Sequence, residues 1–551
     1  MNAIFLDADR RLRGPYTLAA ALLEALVPDA PPELVAAHDL EINVAAPHLG
    51  VLLTRRSLAA SLPRPQRILI PGARRTLRIA NGLAEFVRDH LRRAGPVRLT
   101  VANLDEADPT DTELVAVFRR RIPAELLEIV RGPSAPGDRP LVADFDRYRD
   151  EGFHHAMAES GLGALRGMEY DADPEAWQVL VQRVAGALEA LDREEEAREL
   201  YDRSRRLSTD PKHRATIAYG TAMLLVRHHD RVRRDPEQAL AWINEAVTIT
   251  ALLPDPAERA FHLGFDLNGK ALVEVRRARF AEALALVEEA IALAEQDLRG
   301  VHPIHRLVLY ANRAQLLAMA GRVREALADY ATAIEADPGY SDYYLERGNL
   351  LHKLGRMGEA LADFEQVIRL SPPFPEAHYN RAEVRYAAGD LEGALADLDY
   401  AAELDPDFAP TYVNRAGLHA ATGEYGKAAD DVARGLELDP GNPYLLCVRG
   451  QIEAAAGRTR EARAAYDAAL AVDHELAPAW AGRAELSFQE GDHAGALADL
   501  GSAIKLEETA ALLFNRALVL RAAGRTEEAR QDLLRAAGLD PADEDVRRAL
   551  G

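Results

Sequence analysis

The sequence predicts a mainly α-helical fold, a solenoid of stacked helical hairpins preceded by a small α/β domain. Three observations predict it. A self-similar unit returns every 34 residues through the C-terminal part of the chain, glycine and proline hold fixed places inside that unit, and the N-terminal residues 1–170 lack the period altogether. At 551 residues the chain is too long for one hydrophobic core, and with 48% hydrophobic and 28% charged residues it is globular, not disordered.

Residues 1–140 read as the α/β domain. Two short strands are expected at 98–103 and 126–130, with helical patterns near 16–26, 74–92 and 111–121. Asp108 followed by Pro109 marks a helix start, since aspartate can cap the first turn and proline suits the first helical position. Residues 141–174 read as a helical linker.

The repeat starts at Leu307, Ser341, Pro375, Ala409, Pro443, Ala477 and Ala510. Position 4 holds a large group in every copy (Tyr310, Tyr344, His378, Tyr412, Leu446, Trp480, Leu513), suited to the space between paired helices. Position 8 holds only alanine or glycine, such as Ala314, Gly348 and Gly450, because a larger residue would push those helices apart. Gly321, Gly355, Gly389, Gly423, Gly457, Gly491 and Gly524 fall where the first helix must stop, a left-handed C-cap position that glycine takes without a Cβ penalty. Ala326 and its six equivalents then sit on the second helix at its closest approach to the first, and Pro338, Pro372, Pro406, Pro440 and Pro541 lie beyond the second helix. A further periodicity is electrostatic: arginine at position 7 (Arg313, Arg347, Arg381, Arg415, Arg449, Arg483, Arg516) faces aspartate at position 23 in every copy but the fifth, where Ala465 stands. Such pairs contribute little net stability but can fix helix register.

This pattern resembles the tetratricopeptide repeat (TPR) family over residues 307–543. Upstream, Ala197, Ala239 and Ala283 repeat the alanine of the second helix at wider spacing, so 175–306 reads as three longer TPR-like hairpins, and 544–551 as a short polar cap over the last unit. The resemblance implies a right-handed superhelix whose concave face is lined by positions 2, 5, 6, 9 and 12 of each first helix, and a scaffold that binds a protein or peptide there. On that face the candidate peptide-binding residues are Asn312, Asn349, Asn380, Asn414 and Asn515, able to donate to and accept from a peptide backbone. Tyr379, Tyr386, Tyr444, Phe488 and Phe514 would act as aromatic anchors, and Glu383 and Glu485 supply acid. The chaperone-binding subclass uses a carboxylate clamp of asparagines and cations. Asn349 and Asn380 match the asparagines, but Leu345, Pro410 and Asn414 stand where the cations belong, so that specificity is not expected.

The order of the N-terminal segments, through GPVRLTVANLDEADPTDTELVAVFRRR, resembles the middle of the STAND-class AAA-related NTPases. A nucleotide site needs a glycine-rich loop with a lysine. The first lysine in the chain is Lys212, and Ala102 and Asn103 stand where the family's acidic pair belongs, so Asp105, Glu106 and Asp108 mark at most a vestigial nucleotide site. The resemblance therefore implies a degenerate NTPase domain, with a regulatory switch that binds nucleotide without efficient hydrolysis as the alternative to the scaffold.

Other motifs carry less. GFDLNGKA (264–271) lacks the hydroxyl and the strand of a phosphate loop, and SGLGALRG (160–167), which also lacks the strand, is better explained by a tight turn or by close helix packing. Asp150 and His154 share a helical face at i, i+4, but two ligands do not make a metal site. The lone Cys447 reads as a small buried residue. No catalytic residue, metal or cofactor is expected. Residues 1–170 carry 22 basic and 23 acidic residues against 44 and 65 in the remainder, so the net charge of −22 lies almost wholly in the repeats. That field disfavours nucleic acid and favours basic or neutral protein partners. With a single cysteine, no apolar run long enough for a membrane and an acidic N-terminus, the expected setting is cytoplasmic. Arginine outnumbers lysine 61 to 5, a bias associated with GC-rich bacterial genomes.

Overall fold

The structure, a computed structural model, describes residues 2–54, 57, 58, 62, 74–135 and 137–550. It is mainly α-helical, a TPR-like solenoid of antiparallel hairpins with one small N-terminal sheet. Packing divides the chain into two units, Met1–Phe374 and Pro375–Gly551, and the division falls between the second and third of the 34-residue repeats.

In the first unit three parallel strands, β1 (Asn2–Asp7), β2 (Val97–Ala102) and β3 (Leu127–Arg131), lie in that order. β2 and β3 match the expected strands to within a residue. β1 was not foreseen, and its composition explains why: as an edge strand it half-buries just two apolar residues, Ile4 and Leu6, while Phe5 faces outward, a signal too short to stand out by alternation. β2 is central, with Val97, Leu99 and Val101 buried. It stops at Ala102 because Asn103 takes φ +53°, a left-handed conformation that asparagine tolerates better than most residues.

Helices Thr17–Leu26, Arg75–Ala94 and Pro109–Arg121 pack with the sheet, and their core continues without a break through Tyr148, Met157 and Leu165 to Trp177, Val181 and Tyr201 of the first hairpin. Between them, Phe145–Glu151 and His154–Gly167 are two helices broken by Gly152 at φ +70°. Asp150 and His154 therefore share no helical face, and Asp150 pairs with Arg149 instead. Gly161 touches Val184 so closely that an added Cβ would run into Val184 Cγ2, so of the two readings of SGLGALRG the structure has close helix packing and not a tight turn. GFDLNGKA lies inside helix Pro256–Arg276, where Gly264 and Gly269 admit His305 and Tyr219.

Helices Pro174–Ala190 with Glu194–Leu207, Pro211–Arg227 with Pro236–Thr250, and Pro256–Arg276 with Phe280–Asp297 form three hairpins. Asp-Pro opens helices in this region: Asp173, Asp210, Asp235 and Asp255 each accept a hydrogen bond from the amide three residues on, with proline at the first helical position. In the 34-residue repeats the same dipeptide follows the second helix, as at Asp337-Pro338 and Asp405-Pro406. The first two repeats, Pro303–Met319 with Val323–Ala336 and Ser341–Lys353 with Met357–Leu370, complete this unit. The N-terminal segments reach them: Leu58 packs on the cluster of Leu307, Ala333 and Tyr343, and the Arg78 guanidinium sits 3.7 Å above the Phe374 ring.

The second unit holds five hairpins, from Pro375–Ala387 with Leu391–Leu404 to Ala510–Ala522 with Thr526–Leu539, and then helix Glu544–Leu550, whose Val546 is buried against Leu513 and Leu533. The repeat's physical logic holds throughout. All seven C-cap glycines have φ between +71° and +83°, and the alanine of every second helix is fully buried. In two repeats position 8 is glycine against a ring, Gly348 facing Phe364 and Gly450 facing Tyr466, where a Cβ would come within 2.8 and 2.6 Å of the ring, whereas in the first repeat Ala314 packs with Tyr330. No helix among the described residues is long and apolar enough to cross a membrane.

Candidate functional site

The arginine at position 7 and the aspartate at position 23 meet in every repeat that has both. Arg313–Asp329, Arg347–Asp363, Arg381–Asp397, Arg415–Asp431, Arg483–Asp499 and Arg516–Asp532 are two-pronged pairs, Nε and Nη2 donating to the two carboxylate oxygens at 2.6–2.9 Å. The aspartates are buried, whereas the arginines keep partial access to solvent. In the first, second, fourth and sixth repeats the guanidinium also lies 4.7–5.7 Å over the position-4 ring of Tyr310, Tyr344, Tyr412 or Trp480, three residues before it. In the third, His378 replaces that ring and Asp397 receives Arg381, Arg385 and His378 together. Burial raises the Asp397 carboxyl, but the hydrogen bonds from His378 and Arg381 outweigh it and hold the pKa below the usual carboxylate value. A cavity of about 290 Å³ beside Arg347 and Asp363 is bordered by Arg356 and Glu359, which pair with each other. In these six repeats each ladder charge meets its partner across the two helices of one hairpin, and only Arg449 of the fifth repeat has no aspartate at position 23 to meet.

The face proposed for binding is built differently. Position 6 of one first helix meets position 9 of the first helix before it. Asn414 Nδ2 donates to Glu383 Oε1 at 3.4 Å, Glu346 bonds Gln315, and Asn312 Nδ2 donates to Asn268 Oδ1 at 2.9 Å. This lateral bonding is not visible in any single repeat, because its partners lie 31 or more residues apart. Glu383 also accepts from the Tyr379 hydroxyl at 3.0 Å, so Tyr379, Glu383 and Asn414 form one cluster, with Phe408 edge-on to Tyr379. Burial, then the adjacent Glu383 carboxylate, push the Tyr379 phenol far above its ordinary value, which keeps it a neutral donor. Glu346 is likewise raised by burial and by Asp342.

The other residues divide by exposure. Tyr386 (56%) and Tyr444 (54%) stand in solvent, as do Asn515 and Glu485, the latter accepting from Gln489. Phe488 and Phe514 are half-buried against the cores of their own repeats, where they support packing as much as they offer a surface. Asn349 and Asn380 are half-buried, each with partners of its own. Cys447 is buried, and burial pushes its thiol up to about 12, so it is a packing residue and a poor nucleophile.

At the C-terminal ends of the strands the acidic residues are engaged within the chain. Asp105 pairs with Arg131, Glu106 Oε2 with Arg11 Nη2 at 2.9 Å, and Asp108 caps its helix by accepting from the Thr110 amide and hydroxyl. The helix that follows β1, Thr17–Leu26, points its first amides at another carboxylate: Asp111 accepts from Leu18 N at 2.9 Å and Ala19 N at 3.0 Å, fully buried. Asp111 thereby satisfies amides of the first turn of this helix, which have no partner within the helix. Burial pushes Asp111 up to about 7 against those two amide bonds. Sequence reading missed Asp111, since only tertiary packing brings residue 111 to residue 18.

One further group was not foreseen. Glu194, His228 and His229 bring ligand atoms within 4.8 Å of one another where the second hairpin's connection meets the first.

Residues 312–443 and 447–544 match the family model of the tetratricopeptide repeat, so this part of the chain is built of tetratricopeptide repeats. No curated protein matches the chain. Among solved structures, the APC/C hetero-tetramer Cut9–Hcn1 is similar at 15% identity and a TM-score of 0.42, over 74% of this chain and 88% of that one. Yeast Tom70 is similar at 16% identity and 0.35, over 73% and 94%. The pilF protein of Pseudomonas aeruginosa is similar at 16% identity and 0.33, over 38% and 96%.

Proposed function

We propose that the chain is a non-enzymatic scaffold that holds a protein or peptide on the face formed by the first helices of its repeats. The observation that carries this reading is the Tyr379–Glu383–Asn414 cluster, a polar and acidic patch spanning two successive first helices, with Tyr386 and Tyr444 exposed on first helices of the same unit. Half-buried carboxylates beside aromatic rings suit a basic or amide-rich segment, and the excess acid of the repeats favours basic or neutral partners over nucleic acid. In this reading the N-terminal domain is a degenerate relic that buttresses the first hairpins. Support comes from the missing lysine and from Asp111 seated on the amides a phosphate would need. The lone reduced cysteine accords with a cytoplasmic setting.

The test is a crosslinking pull-down from the native cell with the full chain and with an Asn380→Ala, Asn414→Ala double variant of unchanged helix content. A partner captured by the wild type should be recovered at least severalfold less by the variant. Equal recovery would remove this face from the reading. Titration with ATP and ADP provides the second arm, and binding that changes protease sensitivity would favour a nucleotide-controlled switch instead.

A further inference from the structure

The connection after helix Pro211–Arg227 folds back onto the start of helix Glu194–Leu207 and sets two imidazoles against two carboxylates. His229 Nδ1 lies 2.6 Å from Glu194 Oε1 and 3.6 Å from Asp192 Oδ1, and His228 Nδ1 lies 3.8 Å from the same Glu194 oxygen. The two rings stack with centroids 4.7 Å apart, so both Nδ1 atoms face one small volume. The Asp230 amide donates to His228 Nδ1 at 3.1 Å, which places the neutral ring's proton on Nε2 and engages the lone pair of the inner nitrogen until an ion takes the amide's place. Glu194 and His228 are mostly buried, while His229 and Asp192 open to solvent, so the group has a supported inner half and an accessible outer half.

Asp192 adds an independent observation. It occupies the C-cap position that is glycine in all seven 34-residue repeats, at φ +55°. A carboxylate is thus kept where glycine would be easier, although Ala278 at φ +58° in the third hairpin shows that the fold tolerates a side chain there.

We propose that Glu194, His228, His229 and Asp192 form a binding site for a divalent transition metal ion of the zinc class. Two imidazole nitrogens and two carboxylate oxygens suit zinc, cobalt or nickel, and ligands about 2.0–2.2 Å from such an ion stand about 3.3 Å apart in a tetrahedron. Glu194, His228 and His229 already hold their ligand atoms within 4.8 Å of one another, and Asp192, 3.6 Å from His229 Nδ1, would complete the set by rotation of its side chain. On binding, the ion takes the place of the proton that His229 Nδ1 shares with Glu194, and that proton leaves to solvent; the ion also displaces the Asp230 amide from His228. The bound ion would clip the connection within the second hairpin to the turn of the first. Carboxylate–histidine ion pairing can tie a loop down without metal, and the experiment separates the two.

The full chain, carried on a tag without histidines and stripped with chelator, is titrated with Co2+ and Zn2+ by calorimetry, with the cobalt d–d absorption band as spectroscopic readout. The expected result is one equivalent per chain with a tetrahedral or five-coordinate cobalt spectrum, displaced by zinc. His229→Gln and Glu194→Gln should each abolish the band. Asp192→Gly should weaken binding at least about tenfold, since losing even a residue that only supports a metal's ligands costs about 10–100-fold. This variant also serves as the folding control, since glycine at φ +55° leaves the melting temperature unchanged or higher. A wild-type spectrum that is only octahedral, a stoichiometry unaltered in His229→Gln, or no heat above that of the His229→Gln variant would each overturn the site and leave an ion-paired loop tether.

Discussion

The missing rung of the arginine–aspartate ladder offers a gain-of-contact test. In the fifth repeat Arg449 is exposed and Ala465 is buried where the other six copies pair. Ala465→Asp should create a pair like its neighbours, both oxygens within 2.6–2.9 Å of a guanidinium nitrogen. The magnitude follows from two opposing terms. Burying an unpaired carboxylate costs about 3–5 kcal/mol, and a two-pronged pair with arginine offsets most of that, leaving a net change within about 1 kcal/mol. Arg449→Ala alone removes an exposed side chain and should cost no more than about 0.5 kcal/mol. In the Arg449→Ala background, however, Ala465→Asp should cost about 3 kcal/mol, a coupling of about 2–3 kcal/mol between positions 7 and 23. Urea unfolding followed by far-UV circular dichroism on the four proteins of this cycle gives the comparison, read from midpoint shifts because stacked repeats need not unfold as one unit. If Ala465→Asp is equally damaging with and without Arg449, the ladder is a by-product of repeat duplication and does not set helix register.

Other outcomes follow from the same packing. Gly450→Ala should destabilise by about 1–3 kcal/mol because its Cβ would meet the Tyr466 ring at 2.6 Å; adding Tyr466→Leu, the residue type that faces alanine in the third repeat as Leu398, should recover most of the loss in a thermal melt. Asp266 accepts from the Thr250 hydroxyl, and burial pushes its carboxyl up to about 7. The folded state then binds the proton more tightly than the unfolded chain, so this group's contribution to stability is present at pH 4 and lost as pH rises through 7. Asp266→Asn should therefore gain in melting temperature relative to wild type between pH 5 and pH 8, and a constant difference across that range would contradict the assignment. With its thiol buried and pushed up to about 12, Cys447 should resist a thiol-reactive dye in the native protein and react promptly in urea; fast native labelling would mean that the fifth repeat opens readily.

What the sequence alone determined is everything that recurs at short range. A hairpin of two helices needs a left-handed stop, a small residue at each point of closest approach and a large one beside it, and each of these is a choice at a fixed position. Seven copies therefore spelled out the helices, the glycine caps and even the arginine–aspartate partners 16 residues apart. Asp108–Pro109 was legible for the same reason, because a cap is satisfied within three residues. Tertiary structure alone decided what depends on distant segments. The β1 strand is held by pairing with residues 97–102, and its own six residues carry too little alternation to announce it. Gly152 split a helix that periodicity would have run through Asp150 and His154. Asp111 reached the amides of Leu18 and Ala19 across 92 residues, and Asn414 turned toward Glu383 rather than outward alone. Local rules fix which conformation a segment adopts. Which buried donor meets which acceptor is fixed only once packing has brought the segments together, since the cost of an unmet polar group arises on burial and not before.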